Sequence, residues 1–181
     1  MTARARDELE LSAALLREAF DRSFAAPPAS PELAGAEALR AVRAGSLRLA
    51  LPVDALAGIR RRPHIAPLPS RTPELLGLGA FRGELVGMYA LGRLCGADAV
   101  EDGEGRGWAA LVRGAAVGLV FDELEQHVRA AADDFQPLAG AASDAIFRRV
   151  VALGAERRHV VDVAALLARL AAAATPATET R

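Results

Sequence analysis

The sequence contains no lysine, and Cys95 is its only cysteine. The absence of lysine excludes a P-loop for nucleotide phosphates and any mechanism through a lysine Schiff base. A single cysteine cannot form an internal disulfide, so the disulfide framework of a small secreted protein is also excluded. These two absences point to a protein of the reducing cytoplasm that does not hydrolyse nucleotides through a P-loop.

The sequence also lacks a recognisable catalytic or metal-binding pattern. The three histidines, His64, His127 and His159, are far apart, and no two have the spacing of a helical metal site. Cys95 has neither a predicted helix start nor a neighbouring histidine to lower its pKa, so we expect it to be buried and inert. We therefore predict no catalytic residue, no metal and no cofactor.

The charges argue against two classes of partner. The net charge is −1 and is spread along the chain, which is unlike the basic surface of a nucleic-acid-binding protein. Charged residues interrupt the N-terminal segment, so it is not a signal peptide. The apolar runs are shorter than the ~18 residues that span a bilayer. We expect a soluble protein that neither binds nucleic acid nor inserts directly into a membrane.

The N-terminal segment has the pattern of an amphipathic helix. Leu9, Leu16, Phe20 and Phe24 recur at helical spacing and form an apolar stripe. The stripe either packs on the core of the same chain or docks on a partner or a second copy. The short segment that follows, residues 27–31, contains three prolines and favours packing on the same chain.

The middle and the end of the chain carry strand and turn signals. Two hairpins are predicted, one with a turn at Arg113-Gly114 and one with a turn at Leu153-Gly154-Ala155. One helical turn or two is predicted in "RTPELLGLG", with Thr72 as N-cap and Pro73 as the first helical residue. A closing helix begins after Asp162. Short strands separated by glycine turns are typical of a barrel or sandwich.

Three consecutive arginines, at 60–62, interrupt this pattern. On an extended segment neighbouring side chains point to alternate faces, so at most two of the three share one side. They are interpreted either as charges that keep a strand edge solvated or as a docking site for an acidic partner. The first interpretation is favoured.

Four segments together resemble the CheW-like domain of bacterial chemosensory proteins. They are "LPVDALAGI", "PLPSRTPELLGLGAFRGELVGMYALGRL", "AAVGLVFDEL" and a late hairpin that ends in "VVDVAALL". In that family an Asn-x-Arg-Gly element opens a strand, and Arg82-Gly83 matches its last two residues. A later family strand has Val-Gly, three hydrophobic residues and Asp, which Val117-Gly118 and Asp122 match.

The resemblance implies a mainly β, CheW-like fold. Two small five-stranded β-barrels would lie side by side with a hydrophobic groove between them, together with short helices. The N-terminal amphipathic helix is predicted from its own pattern, since minimal family members lack it. The implied division is a helix at 1–28, a linker at 29–37, the CheW-like domain at 38–170 and a flexible tail at 171–181. It also implies a strand at about residues 39–43 and a hairpin across Gly45, where the local pattern alone leaves helix and strand open.

The resemblance also implies a function and a set of partners. Proteins of this family are adaptors without catalytic activity, which link the regulatory domain of a CheA-type histidine kinase to the helical-hairpin cytoplasmic tips of chemoreceptors. The kinase domain has the same β fold. The implied location is the cytoplasm, at the inner face of the membrane within receptor arrays. The alternative is a CheW-like regulator that binds only one of these partners and limits kinase activation. Self-association through the N-terminal helix is a further expectation.

The resemblance transfers partner-binding roles to eight positions: Leu56, Ile59, Gly77, Arg82, Gly83, Gly118, Asp122 and Leu124. Leu56 and Ile59 would present apolar side chains to the receptor without being needed for the fold. Arg82 either contacts a partner through its guanidinium or ties together the carbonyls of a neighbouring loop.

This chain departs from the family pattern at four positions. Ala80 replaces the Asn of the Arg-Gly element, Gly87 replaces a strand Pro, Ala90 replaces an Asp, and Arg149 replaces a late-hairpin Gly.

Overall fold

A computed structural model describes residues 35–97, 106–140, 142 and 145–174. The predicted N-terminal helix, most of the linker and the last residues of the predicted tail lie outside this part of the chain. The described residues form two six-stranded sheets and two α-helices. In chain order the elements are β1 (Glu37–Ala44), β2 (Leu47–Pro52), β3 (Leu56–Arg61), β4 (Ile65–Ala66), β5 (Leu75–Phe81), β6 (Glu84–Ala90), α1 (Leu91–Leu94), β7 (Trp108–Val112), β8 (Val117–Phe121), β9 (Glu123–Ala130), β10 (Phe135–Pro137), β11 (Phe147–Leu153), β12 (Glu156–Val161) and α2 (Val163–Ala174).

The predicted hairpins are confirmed. β1 pairs with β2 across Gly45, β7 pairs with β8 across Arg113-Gly114, and β11 pairs with β12 across Gly154. All three glycines have positive φ, between 60° and 73°. Glycine adopts this conformation without the steric cost that a Cβ brings, so each turn follows from the sequence.

The predicted one or two helical turns at Thr72 are reduced to a single hydrogen-bonded turn. The Leu75 amide donates to the Thr72 carbonyl oxygen at 3.1 Å, which closes a single turn, and β5 then begins at once. The segment after this turn pairs along its length with β6 in an antiparallel ladder. Gly77 has φ +139, far from the helical region, so the chain cannot be helical there. Non-local pairing therefore overrides the local helix signal.

Each sheet curls into a barrel. In the second sheet, whose order is β3-β7-β8-β6-β5-β4, the two edge strands are joined by three residues only, 62–64. Such a connection spans at most about 14 Å, whereas the edges of a flat six-stranded sheet are about 24 Å apart. The first sheet, of order β10-β11-β12-β2-β1-β9, has a similarly short connection from β9 to β10. We call these curled sheets the first barrel and the second barrel.

The CheW-like, mainly β fold is confirmed, and the number of strands in each barrel is six rather than five. The additional strands are short: β4 has two residues and β10 has three. Both stand at a sheet edge next to the connection that closes the barrel. Two or three residues are too few to give a periodic pattern, so the sequence does not reveal them.

The alternating faces of the strands supply three hydrophobic clusters. The second barrel has its own cluster, which includes Phe81, Met88 and Val120, and the first barrel has a smaller one around Leu39 and Val151. The opposite faces of both sheets contribute to a third and larger cluster, the central core. Its buried members are Val42, Ala44, Leu49, Leu51, Leu56, Leu91, Leu94, Ala110, Val112, Leu119, Phe121, Ile146, Val161, Val163 and Leu166.

The two α-helices belong to this central core. α1 contributes Leu91 and Leu94, and α2 contributes Val163 and Leu166. The predicted start of the closing helix is confirmed, because Asp162 Oδ1 accepts a hydrogen bond from the Ala165 amide at 3.0 Å as an N-cap. The two barrels are thus fixed to each other by a shared apolar interior.

Candidate partner-binding surface

Arg82 and Gly83 form the two-residue turn between β5 and β6. Their φ angles are +53° and +87°, and Arg82 is the only non-glycine residue with positive φ in the described part of the chain. Positive φ at both central positions is the geometry of a type I′ hairpin turn. The turn is exposed and opens β6, as the sequence predicts for the Arg-Gly pair.

The Arg82 guanidinium folds back towards β3. Its Nη2 lies 3.2 Å from the position that a Cβ on Gly58 would occupy. Within the described residues Arg82 has neither a hydrogen bond nor an ion pair, and in particular it does not hold the carbonyls of a neighbouring loop. A different arginine has that structural role.

Arg113, in the turn between β7 and β8, ties down the connection from β2 to β3. Its Nε donates to the Asp54 carbonyl oxygen at 2.7 Å, and its Nη2 donates to the Leu56 carbonyl oxygen at 2.8 Å. The Arg113 amide also donates to the Ala55 carbonyl oxygen at 2.8 Å. The sequence identified Arg113 only as a turn residue, because its acceptors lie more than fifty residues away and no local pattern reveals them.

Leu56 is part of the central core rather than of an exposed groove. It is only 5% exposed, and Ile59 and Leu124 pack against the same cluster as partly buried residues. The expectation that the fold does not need Leu56 is therefore wrong. Leu56, Ile59 and Leu124 all belong to or pack on this one apolar cluster.

Gly77 and Gly118 are buried, and at both positions a side chain would clash with a neighbouring atom. A Cβ on Gly77 would lie 2.1 Å from the Ala66 carbonyl oxygen, and a Cβ on Gly118 would lie 2.4 Å from the Met88 sulfur. Gly77 thus allows β4 to approach β5, and Gly118 makes room for Met88 in the core of the second barrel. Neither glycine presents a surface, in contrast to Gly83, which has nothing within 4 Å of its Cβ position.

Asp122 connects the two barrels at the corner between β8 and β9. Its Oδ2 accepts a hydrogen bond from the Gly45 amide at 2.6 Å, and its own amide donates to the Arg43 carbonyl oxygen at 3.0 Å. A carboxylate that accepts from a backbone amide makes a strong, charge-assisted hydrogen bond. Asp122 therefore holds the β1–β2 turn against the second barrel.

The eight positions predicted by resemblance thus divide into an interior set and an exposed pair. Arg82 and Gly83 are exposed at the turn between β5 and β6. The other six are buried or half-buried and contribute to packing within a barrel or between the two barrels: Leu56, Ile59, Gly77, Gly118, Asp122 and Leu124.

Two further residues beside the exposed turn belong to the same surface. Leu85 is 71% exposed, more than any other large hydrophobic side chain described. Its sequence signal is the run "ELVGMYAL", in which both faces of the strand are apolar although only one can face the interior of the barrel. Arg60 is exposed on β3, and its guanidinium carbon lies 5.9 Å from the ring centroid of Phe81.

The predicted alternation of the arginine run is confirmed. Arg60 lies over Phe81, which belongs to the core of the second barrel, whereas Arg61 lies 4.3 Å over the ring of Trp108, which packs on the central core. Consecutive side chains on β3 thus serve opposite faces of the strand.

Two titratable groups have clearly shifted pKa values. Burial raises the pKa of the Cys95 thiol to about 12, an effect that Arg169 partly opposes. The thiol is therefore protonated at neutral pH, as expected for an inert cysteine. Hydrogen bonds from Arg48 and then from Arg158 lower the pKa of the Glu156 carboxyl. Both groups lie away from the Arg82 turn, Glu156 being on the first barrel.

In the part of the chain that the structure describes, no group of three or more His, Cys, Asp or Glu side chains is placed to hold a metal ion. No helix there has the length and apolar character needed to cross a membrane.

The fold and this surface define a small double-barrel β protein whose candidate residues lie at turns, glycines and apolar packing positions. Comparison with known families matches residues 39–171 to the CheW-like domain, and the chain therefore belongs to that family of non-catalytic scaffold proteins. Among solved structures it is similar to the scaffolding protein TtCheW from Thermoanaerobacter tengcongensis, with a TM-score of 0.62 and 11% sequence identity. The similarity covers 70% of this chain and 89% of that chain. A search of curated proteins found no match.

Proposed function

We propose that this chain is a cytoplasmic adaptor that couples chemoreceptors to a CheA-type histidine kinase in a chemosensory array. The observation that carries the proposal is the CheW-like domain match over residues 39–171. It is supported by the double-barrel architecture and by the position of Arg82 and Gly83, which stand exposed at a type I′ turn. An adaptor acts through its exposed surfaces, and this turn is an exposed surface feature.

The central core explains how one small domain can hold two partners in a fixed relation. Leu51 and Val42 of the first barrel and Phe121 and Leu119 of the second are fully buried in one cluster. Asp122 adds a hydrogen bond from its carboxylate to the turn of the other barrel. Because close-packed interiors resist deformation, a partner bound to one barrel is held at a constant position relative to a partner bound to the other.

The decisive experiment measures simultaneous binding. The regulatory domain of a CheA-type kinase and a cytoplasmic hairpin fragment of a chemoreceptor, both from the same organism, are each mixed with the chain and then all three are combined. The expected result is a ternary complex in analytical ultracentrifugation and a rise in kinase autophosphorylation in the presence of receptor. Binding of one partner only, with lowered kinase activity, would instead support the regulator that limits activation. Binding of neither would refute both.

A further inference from the structure

Two arginines from different segments meet at the Phe81 end of the second barrel. The guanidinium carbon of Arg60 is 5.9 Å from the Phe81 ring centroid. Arg82 Nη2 is 3.2 Å from the Cβ position of Gly58, and that position is 3.5 Å from Phe81 Cε1. Both guanidinium groups therefore lie beside the same ring, and both side chains are exposed.

The described residues around these two cations do not neutralise their charges. Phe81 is only 2% exposed, so its ring is fixed in the barrel core. Gly58 has no side chain that could cover or pair with Arg82. Within the described residues, neither Arg60 nor Arg82 has an ion pair or a hydrogen bond, although Glu84 is only two residues beyond Arg82 in the chain.

Several arginines of the first barrel, in contrast, form ion pairs with carboxylates. The pairs are Arg43 with Glu123, Arg48 with Glu156, Arg149 with Glu37, and Arg158 with Glu125 and Glu156. Two unpaired like charges beside one apolar ring repel each other, so an anion that binds between them gains from both. Among the described residues no carboxylate pairs with either guanidinium at the Phe81 end of the second barrel, so this end can accept the carboxylates of a partner.

We propose that Arg60 and Arg82 together bind two carboxylates spaced one turn apart on a helix of the chemoreceptor's cytoplasmic hairpin. This inference rests on the proposed function. A guanidinium recognises a carboxylate through two parallel hydrogen bonds. Residues at positions i and i+4 of a helix have Cβ atoms about 5–6 Å apart, so two acidic side chains on one helix face can reach two guanidinium groups beside the same ring. Of the two proposed partners, the helical one is the receptor.

The test compares two double variants with equal changes in charge. Arg60→Glu with Arg82→Glu reverses the proposed site, and Arg129→Glu with Arg157→Glu reverses two exposed arginines of the first barrel that also have no ion pair among the described residues. Binding of a receptor hairpin fragment is measured by fluorescence anisotropy. The first variant should bind about 30-fold more weakly or worse, and the second should stay within about 2-fold of the wild type.

Salt and a neutral variant separate charge recognition from damage to the fold. Wild-type affinity should fall as salt rises from about 0.05 M to about 0.5 M, and the dependence should be weaker for the first variant. Arg60→Gln with Arg82→Gln should lose about 5-fold without introducing negative charge. Melting curves for all variants establish that each is folded at the assay temperature.

The outcomes distinguish failure of this inference from failure of the adaptor function. If the wild type binds the hairpin and the charge-reversed site binds it equally well, the carboxylate site is refuted while the adaptor function stands. If the reversed site loses the kinase domain and keeps the receptor, the choice of partner is refuted. If the wild type binds no receptor fragment, both proposals fail together.

Discussion

Replacing Gly77 by alanine should destabilise the second barrel far more than replacing Gly83 by alanine. The resemblance treats the two glycines alike, as partner-binding positions, but their surroundings differ. A Cβ on Gly77 would lie 2.1 Å from the oxygen and 2.8 Å from the carbon of the Ala66 carbonyl, which are backbone atoms. A Cβ on Gly83 would meet nothing within 4 Å.

The magnitudes follow from these contacts. Non-bonded carbon contacts are favourable near 3.5 Å, so β4 would have to move away from Gly77 by more than about 1 Å. β4 pairs with β5 through only two residues, Ile65 and Ala66, and such a displacement breaks that pairing. Loss of about two hydrogen bonds, at about 1 kcal/mol each, adds to about 1–2 kcal/mol for positive φ, which gives about 3–4 kcal/mol in all. Gly83→Ala carries only the backbone term of about 1–2 kcal/mol.

Urea denaturation followed by circular dichroism measures both free energies of unfolding. In thermal melts Gly77→Ala should lower Tm by about 10–15 °C and Gly83→Ala by about 3–8 °C. Gly154→Ala is a matched control, since Gly154 also has positive φ, +63°, and nothing within 4 Å of its Cβ position. If Gly77→Ala melts no lower than these two variants, the close approach of β4 to β5 is not what requires glycine, and the reasoning fails.

Four further predictions concern other parts of the chain. Leu56→Asp should cost about 3 kcal/mol or more of stability in urea melts, because it places a charge in the central core; an unchanged melt would contradict the burial of Leu56. Asp122→Ala removes the carboxylate that accepts from the Gly45 amide and should cost about 1.5–3 kcal/mol, whereas Asp133→Ala, at an exposed site, should cost little. Burial raises the pKa of the Cys95 thiol to about 12, so alkylation by iodoacetamide at about pH 8 should be slow in the folded protein and fast in urea, and equal rates would refute it. From the sequence alone, a chain beginning at Ser30 should lose stability or solubility; loss of a partner or of a dimer without loss of stability would favour an interaction role for the N-terminal helix.

The hairpins could be predicted from the sequence because their information is local. Gly45, Gly114 and Gly154 each stand between two apolar segments, and each has the positive φ that a tight turn demands. The segment after Thr72 shows the limit of such reasoning. Leu75 and Leu76 fit a helical turn as well as a strand, and what decides is pairing with β6, a contact that no short window of sequence contains.

The candidate site was less predictable than the fold. A glycine required by a close approach and a glycine exposed in a turn look identical in a sequence, so Gly77 and Gly83 could not be separated. Likewise Leu56 could be placed on a strand, but not on the buried face of that strand. The proximity of Arg60 to Arg82 depends on the closure of the second barrel, which brings β3 next to a turn more than twenty residues away.

Two of the four departures that the resemblance indicates, Gly87 and Arg149, make contacts inside the barrels. Gly87 stands where the family has proline, and its amide donates to the Ala116 carbonyl oxygen at 3.0 Å, a bond that proline cannot make. Arg149 stands where the family has glycine. It makes two hydrogen bonds to the Glu37 carboxylate, at 2.6 and 2.7 Å, and lies 4.5 Å over the Phe135 ring.

The contacts of Gly87 and Arg149 each join strands of a single barrel. Gly87 bonds to the residue before β8, its neighbour in the second barrel, and Arg149 connects β11 to β1 and β10 of the first. The exposed turn of Arg82 and Gly83 keeps the family residues, while Gly58 leaves the adjacent guanidinium uncovered. The described contacts of Gly87 and Arg149 therefore act inside the barrels, and none of them involves Arg60 or Arg82.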